Sequence, residues 1–464
     1  MLNRKHLVML KQGVNIWNRW RWDNPEIIPE LVGADLKLFM LIGADFSGVD
    51  LSYVNLSRAN VSGADFRDAV LVKANFKGAN LSGANLSKVN LSEANLEGCD
   101  LSQAKLAKAN LSKADLTGAD LSGAILSRAI LSNTILNSAN LIGANLCRTI
   151  FSQTSFRDIS LDAANLSGTN LSGINLSGVN LSHANLSKAN LSETNFSMVD
   201  LTGADLSAAN LSRAKLNGAN LNGAKLISAN LRYSELQGAS LSQANLTAAD
   251  LCGAEMREAN LQYAVLVQAN LPNANLYRVE LQDADITCAN FFNSNLSEAN
   301  LTRVQATGTN FTGVNISGAC VEKWHIDALT KLDDIDASHV YLKRNQQERC
   351  PFRRNFQAGE FSLYFQTSQT INLSFSEIID WQALWISIQK LTTLTNISNL
   401  HIKSIENDNN NLIIRLSIPY AVDIHNVETW LWNEYQNTLQ MQKSANHRQS
   451  SSNLIDTIKI LGTK

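Results

Sequence analysis

The stretch Ala79-Asn80-Leu81-Ser82-Gly83-Ala84-Asn85-Leu86-Ser87-Lys88 consists of two copies of Ala-Asn-Leu-Ser-x. Five α-helical residues advance about 500°, so Leu81 and Leu86 would sit about 140° apart and could not share a buried face. A continuous strand fails as well. Its side chains alternate with period two, and an odd repeat sends successive leucines to opposite faces. The period is satisfied if a corner resets the alternation once per repeat, leaving a three-residue extended segment and a two-residue bend. Ala79 and Leu81 then point inward, Asn80 and Ser82 outward. The bend falls near the fifth position, where Gly63, Gly78 and Gly83 recur beside long polar chains such as Lys88. Glycine suits bends and charge needs water. A chain turning the same way at each corner winds into a solenoid whose stacked coils hydrogen-bond like parallel strands.

Outward from this stretch the register holds at sixty successive positions, from Leu31 to Ile326. Inward departures from Leu are mild (Phe76, Phe151, Phe156, Phe196, Met256, Ile286), with Ala306 the one undersized centre, read as a taper. Between Thr134 and Val199 the inward small position is often β-branched, and six pairs of these residues lie twenty apart. Phe46/Phe66 and Phe291/Phe311 share that spacing, as stacked rings would. With four Leu and four small residues filling each coil, no lumen is left for a substrate.

Tandem Ala-(Asn/Asp)-Leu-x-x resembles the pentapeptide-repeat family over about two thirds of the chain. The resemblance implies a mainly β fold, a right-handed quadrilateral β-helix of four repeats per coil. Sixty repeats would then make about fifteen coils, roughly 70 Å of stacking at about 4.8 Å each.

A solenoid needs caps at its ends. Lys5 to Trp22 places Leu7, Leu10, Val14 and Trp17 at helical spacing with Asn24-Pro25 as a stop, which predicts a helical N-terminal cap over 1–30. Trp17 to Leu36 (WNRWRWDNPEIIPELVGADL) resembles lead-ins of cyanobacterial members of the family. The rival reading, an amphipathic membrane or partner helix, has only five basic residues against three acidic ones to support it. Past Ile326 the pentad fades. A strand at Ile371–Phe375, a helix within Glu377–Leu391, a hairpin of Leu400–Ile405 with Leu412–Ile418, and a helix over Asn426–Met441 predict a small α+β domain at 327–443. A loose polar tail is expected over 444–464.

Net charge is -2, and Leu31 to Cys320 carries 20 basic against 23 acidic residues. No segment has the basic field that nucleic acid or an anionic membrane selects, so neither nucleic-acid binding nor membrane insertion is expected. The six cysteines are scattered, no secretory leader or 18-residue apolar run is present, and a cytoplasmic protein with reduced thiols is expected.

Candidate chemistry is sparse. His183, His325, His339, His401 and His425 show no metal-ligand spacing, and no Ser-His-Asp set or phosphate loop occurs, so no enzyme activity, metal or cofactor is expected. Arg344 to Arg354 is basic around Cys350 and reads as a solvated loop. One pattern stands out. The outward position normally held by Asn or Asp carries Ile125, Ile130, Ile135 and Ile150, a candidate protein interface. The leading expectation is a non-catalytic interaction scaffold for an unidentified protein partner. The runner-up is the DNA-mimic, gyrase-modulating branch of the family, which needs a strongly acidic rod. The family also tends to dimerise through a rod end, so a homodimer is one further expectation.

Overall fold

A computed structural model describes residues 3–366, 369–375, 379–395, 401–408, 411–418 and 424–445. It contains two compact units, residues 1–358 and 359–464.

In the first unit, parallel bridges join residues twenty apart, beginning with Glu30–Asp50 and running to Gln305–His325. Each coil is therefore four repeats, as expected. Where Leu81 stands, all five backbone donors of one repeat find acceptors. Asn80 N–H reaches back to Ala59 O (3.0 Å), Leu81 N–H forward to Asp100 O (2.7 Å) and Gly83 N–H forward to Ser102 O (2.8 Å). Ala84 N–H closes the turn on Leu81 O at 3.0 Å. The fifth donor, Ser82 N–H, is taken by the Asn80 side chain, Oδ1, at 2.9 Å. This accounts for the Asn/Asp position: without a side-chain acceptor there, one amide per repeat has no partner in the chain. The corner residue is left-handed, with φ 63° at Gly83 and 59° at Lys88, as the third residue of a type II turn requires. Leu81 and Ala84 are fully buried, and each such Leu contributes about 1.5–3 kcal/mol.

The N-terminal cap is two helices, α1 (Arg4–Lys11) and α2 (Val14–Asp23), broken at Gly13, whose φ of 122° no helix interior adopts. Leu10 and Trp17 are its buried residues. Trp17 lies tilted against Phe46 and Phe46 stacks on Phe66, with centroids 5.9 and 5.2 Å apart. Polar atoms of α2 occupy the sites a preceding coil would fill. Trp17 Nε1 donates to Asp45 O (2.8 Å), Asn18 Oδ1 accepts from Asp45 N–H (2.9 Å) and Arg21 donates to Ser47 O (2.7 Å).

The solenoid does not stop at 326. Its bridges continue as Asn310–Lys331, Asn315–Asp336 and Cys320–Tyr341, now twenty-one apart. One extra residue after His325 ends the five-residue count without ending the coil. Asp327 absorbs it: its Oδ1 accepts from Gly308 N–H at 2.9 Å, where earlier coils offer a carbonyl. Thr330 and Leu332 take the inward places. The last rung runs into β1 (Val340–Lys343), which pairs antiparallel with β2 (Gln347–Cys350). The expected boundary at 326/327 is thus corrected to 358/359, because 327–358 supply the final coil and a hairpin. The solvated loop expected at Arg344–Arg354 is partly strand. Cys350 is buried within it, and Arg349 donates to Pro351 O, Arg354 O and Asn355 Oδ1.

One coil departs from the rest. Around Phe151 and Phe156 the small inward residues are Thr154 and Ile159, where a regular coil pairs two Leu with two Ala. The excess volume shows in the ladder. Ser155 and Asn175 form no bridge, and the amides of Phe151, Gln153, Phe156 and Asp158 make no bond to the next coil. Thr154 and Ile174 are only half-buried. Overpacking of this kind typically costs about 1–3 kcal/mol.

The second unit contains α3 (Glu360–Gln366), β3 (Gln369–Phe375), α4 (Trp381–Thr395), β4 (His401–Asp408), β5 (Asn411–Ile418) and α5 (Ile424–Ala445). Its sheet is antiparallel in the order β3-β5-β4. Ile371, Leu373, Ile414 and Leu416 meet Leu384, Ile388, Leu431 and Tyr435 of the helices in one core. Asp380 Oδ1 caps α4 by accepting from Ala383 N–H at 3.0 Å. The expected α+β order is present, with α3 added. Of the polar tail expected over 444–464, the first two residues belong to α5, and the rest, from 446, lies outside the described residues.

Candidate functional site

The four isoleucines do not form one patch. Ile125, Ile130 and Ile135 belong to successive repeats and so occupy three successive sides of one coil. Only Ile130 and Ile150 share a side, joined by a direct bridge. All four are exposed, from 36% at Ile130 to 51% at Ile150. At these positions no side-chain acceptor serves the amide two residues on. The candidate thus contracts to the Ile130–Ile150 pair, with Ile125 round one corner and Ile135 round the other.

The corner between Ile125 and Ile130 has a second property that linear segments hide. Its turn residues in successive coils are Lys88, Lys108, Arg128, Arg148, Gly168 and Lys188, and Lys105 stands on the adjoining side. Over those six coils the outward positions at this corner and its two sides hold no Asp or Glu: they are Asn85, Ser87, Lys88, Asn90, Ser92 and their equivalents at each twentieth residue. All six cations are exposed. Lys88 lies 3.7 Å from Asp68 on the preceding coil, and the other five make no ion pair among the described residues. Arg148 Cγ lies 3.7 Å from where a Cβ at Gly168 would sit, so Arg148 covers the gap in the ladder. The acidic residues that balance the count lie on other sides or in other coils, such as Asp65, Asp68 and Asp205, and several are paired, as in Arg278–Glu298 (2.7 Å) and Arg303–Asp283 (2.6 Å). Summing charge along the sequence averages the basic corner away; summing every twentieth residue reveals it.

Two open grooves accompany these surfaces. One, of about 430 Å³, lies beside the last coils between Arg278, Glu298, Cys320, Tyr341 and Arg344. Most of its charges are already engaged, Arg278 with Glu298 and Glu280 with Asn300 Nδ2 at 2.7 Å. The other, about 620 Å³, lies between α2 and the first coil. Of the histidines, His183 sits on a corner with Nδ1 3.3 Å from Asp162, and burial lowers the pKa of His339, whose ring lies against Tyr341. No cluster of metal-ligating side chains occurs among the described residues. No helix among them is long and apolar enough to cross a membrane.

The family model for pentapeptide repeats matches residues 30–153, 159–287 and 289–323. Its first gap falls on the overpacked coil. Among solved structures, HetL of Nostoc sp. strain PCC 7120, described as involved in heterocyst differentiation regulation, is 28% identical. The match covers 53% of this chain and 92% of HetL with a TM-score of 0.27. The plasmid-mediated fluoroquinolone resistance protein QnrB1 is 21% identical over 38% of this chain and 90% of its own, TM-score 0.26. Rfr23 of Cyanothece 51142 is 24% identical over 35% and 91%, TM-score 0.11. No curated protein matches the chain.

Proposed function

The chain belongs to the pentapeptide-repeat family, whose members fold as right-handed β-helices, and from that premise we propose that it is a non-catalytic scaffold that binds another protein. The observation that supports this most is the division of the repeat. Nearly all inward positions from Leu31 to Val321 are spent on packing, and chemistry is left to outward columns that repeat every twenty residues. Such columns present a long, regular surface suited to a macromolecule rather than an enclosed pocket suited to a metabolite. The near balance of 20 basic and 23 acidic residues over the repeats gives no support to a DNA-mimic role.

The test is capture with the full chain from its native cell, with reciprocal capture and stoichiometry. At least one protein recovered in fixed ratio is expected, with no turnover in a metabolite screen. Turnover of a small molecule that surface substitutions abolish would overturn the reading.

A further inference from the structure

We infer that the basic corner from Lys88 to Lys188, with the Ile130–Ile150 pair beside it, docks an acidic amphipathic α-helix of a partner protein; this rests on the scaffold reading above. Like charges stacked coil upon coil repel one another, and five of the six make no ion pair among the described residues. An external anion-bearing surface relieves that repulsion.

Spacing selects the kind of surface. Coils repeat about every 4.8 Å. Residues three or four apart on an α-helix rise about 4.5–6 Å, so Asp or Glu at i, i+3 or i+4, and i+7 would follow Lys108, Arg128 and Arg148 in turn. Same-side residues of an extended strand repeat at about 6.6 Å and fall out of step. The isoleucines select between a protein and a nucleic acid. Ile130 and Ile150 are 36% and 51% exposed on the side that adjoins the charged corner, where an apolar stripe on a helix would cover them. A phosphate backbone has nothing apolar to set there.

The experiment measures binding to the full chain by fluorescence anisotropy, using three labelled probes. These are a helical peptide with Glu at i, i+3, i+7 and i+10 and Leu on the adjoining stripe, the same peptide with each Leu replaced by Ser, and a 20-base-pair DNA duplex. The Leu-bearing peptide should bind at least tenfold more tightly than the other two. Lys108→Glu with Arg128→Glu and Arg148→Glu should weaken it at least tenfold and flatten its salt dependence. Ile130→Asn with Ile150→Asn should weaken it at least threefold with the salt dependence unchanged. Should charge reversal disturb folding, the Gln versions of the three cations serve, with at least a threefold loss. Unchanged affinity on reversal, equal binding of the Ser peptide, tighter binding of the duplex, or a self-dimer lost on reversal would each overturn the inference. If the triple variant still captures a protein from cells in fixed ratio, the basic corner is refuted while the scaffold reading stands.

Discussion

Asn18 Oδ1 accepts the amide hydrogen of Asp45 at 2.9 Å, a bond that in later coils comes from the Ala carbonyl of the coil before. A side chain on α2 thus stands in for a strand, and Trp17 beside it supplies both an indole donor to Asp45 O and a ring over Phe46. Removing these contacts should fray the first coil rather than unfold the whole repeat array, since each coil touches only its neighbours. Trp17→Ala is expected to cost about 3–5 kcal/mol locally. Hydrogen exchange should rise at Leu36, Leu41 and Phe46 and stay unchanged beyond the middle coils. Light scattering should show end-to-end association as the apolar face opens. Uniform protection along the array would contradict the cap.

The outward asparagines form a second ladder. Asn210 Nδ2 donates to Asn190 Oδ1 at 3.2 Å, and Asn230 Nδ2 donates to Asn210 Oδ1 at 3.0 Å. The same oxygen serves Ser212 N–H at 3.2 Å. Asn210→Ala removes all three bonds and should lower stability by about 1–3 kcal/mol. Asn210→Asp keeps the acceptor and loses only the donor, so it should cost less than half as much. Thermal unfolding of the two variants decides; equal losses would mean that the ladder, and not the local amide, matters most.

The repeat was legible because period five excludes both helix and plain strand, which forces Leu81 and Ala84 inward. The β-branched column hinted at twenty residues per coil. What escaped the sequence has physical causes. One inserted residue at Asp327 breaks the count though the coil persists, since a carboxylate can replace a carbonyl as acceptor. The β1–β2 hairpin hides in a polar stretch because β1 is templated by Cys320 on the coil before it and not by apolar alternation. The basic corner needs a period of twenty to be seen, and Ile125 and Ile135 looked joined to Ile130 only because the corners between them were not counted.

Arg303 grips Asp283 with two bonds, Nε to Oδ1 at 2.6 Å and Nη2 to Oδ2 at 2.7 Å. The Arg303 side-chain bonds pull the carboxyl down to about 2. A carboxyl whose folded pKa lies below its unfolded value near 3.9 favours folding above about pH 4, and this contribution fades as pH falls toward 2. Arg303→Met should remove that share of the acid sensitivity. Melts of the two proteins should therefore differ above pH 4 and converge toward pH 2. A constant difference across that window would assign the loss to packing.

Burial pushes the Cys99 thiol up to about 12, and its Sγ donates to Phe76 O at 2.9 Å. Cys288 instead sits exposed on a corner with φ 57°. Reactivity follows thiolate and access together. Iodoacetamide at neutral pH should label Cys288 in the native protein and Cys99 only in denaturant. Native labelling of Cys99 would show that the first third of the array opens on the labelling timescale.

The overpacked coil should be the weakest link in the array. Phe151 and Phe156 lie 5.2 Å apart, and Thr154 and Ile159 stand where Ala would leave them room. Phe46 and Phe66, each flanked by Ala44 or Ala64, show that a ring by itself does not break the ladder: Phe46 N–H still reaches Asp65 O at 2.7 Å. What sets this coil apart is bulk in two adjacent repeats at once, since Phe196, flanked by Thr194 and Val199, still reaches Lys215 O at 2.7 Å. Amides with no bond to the next coil exchange through small local openings. Residues 151–158 are thus expected to exchange far faster than Leu211 or Leu216, whose bonds to Asn230 O and Glu235 O measure 2.7 and 2.6 Å. Thr154→Ala with Ile174→Ala should let Ser155 and Asn175 pair, slow that exchange and raise stability by about 1–3 kcal/mol, the reverse of the usual large-to-small penalty. Destabilisation by the double substitution would show that the interior here is filled correctly and that the ladder opens for another reason.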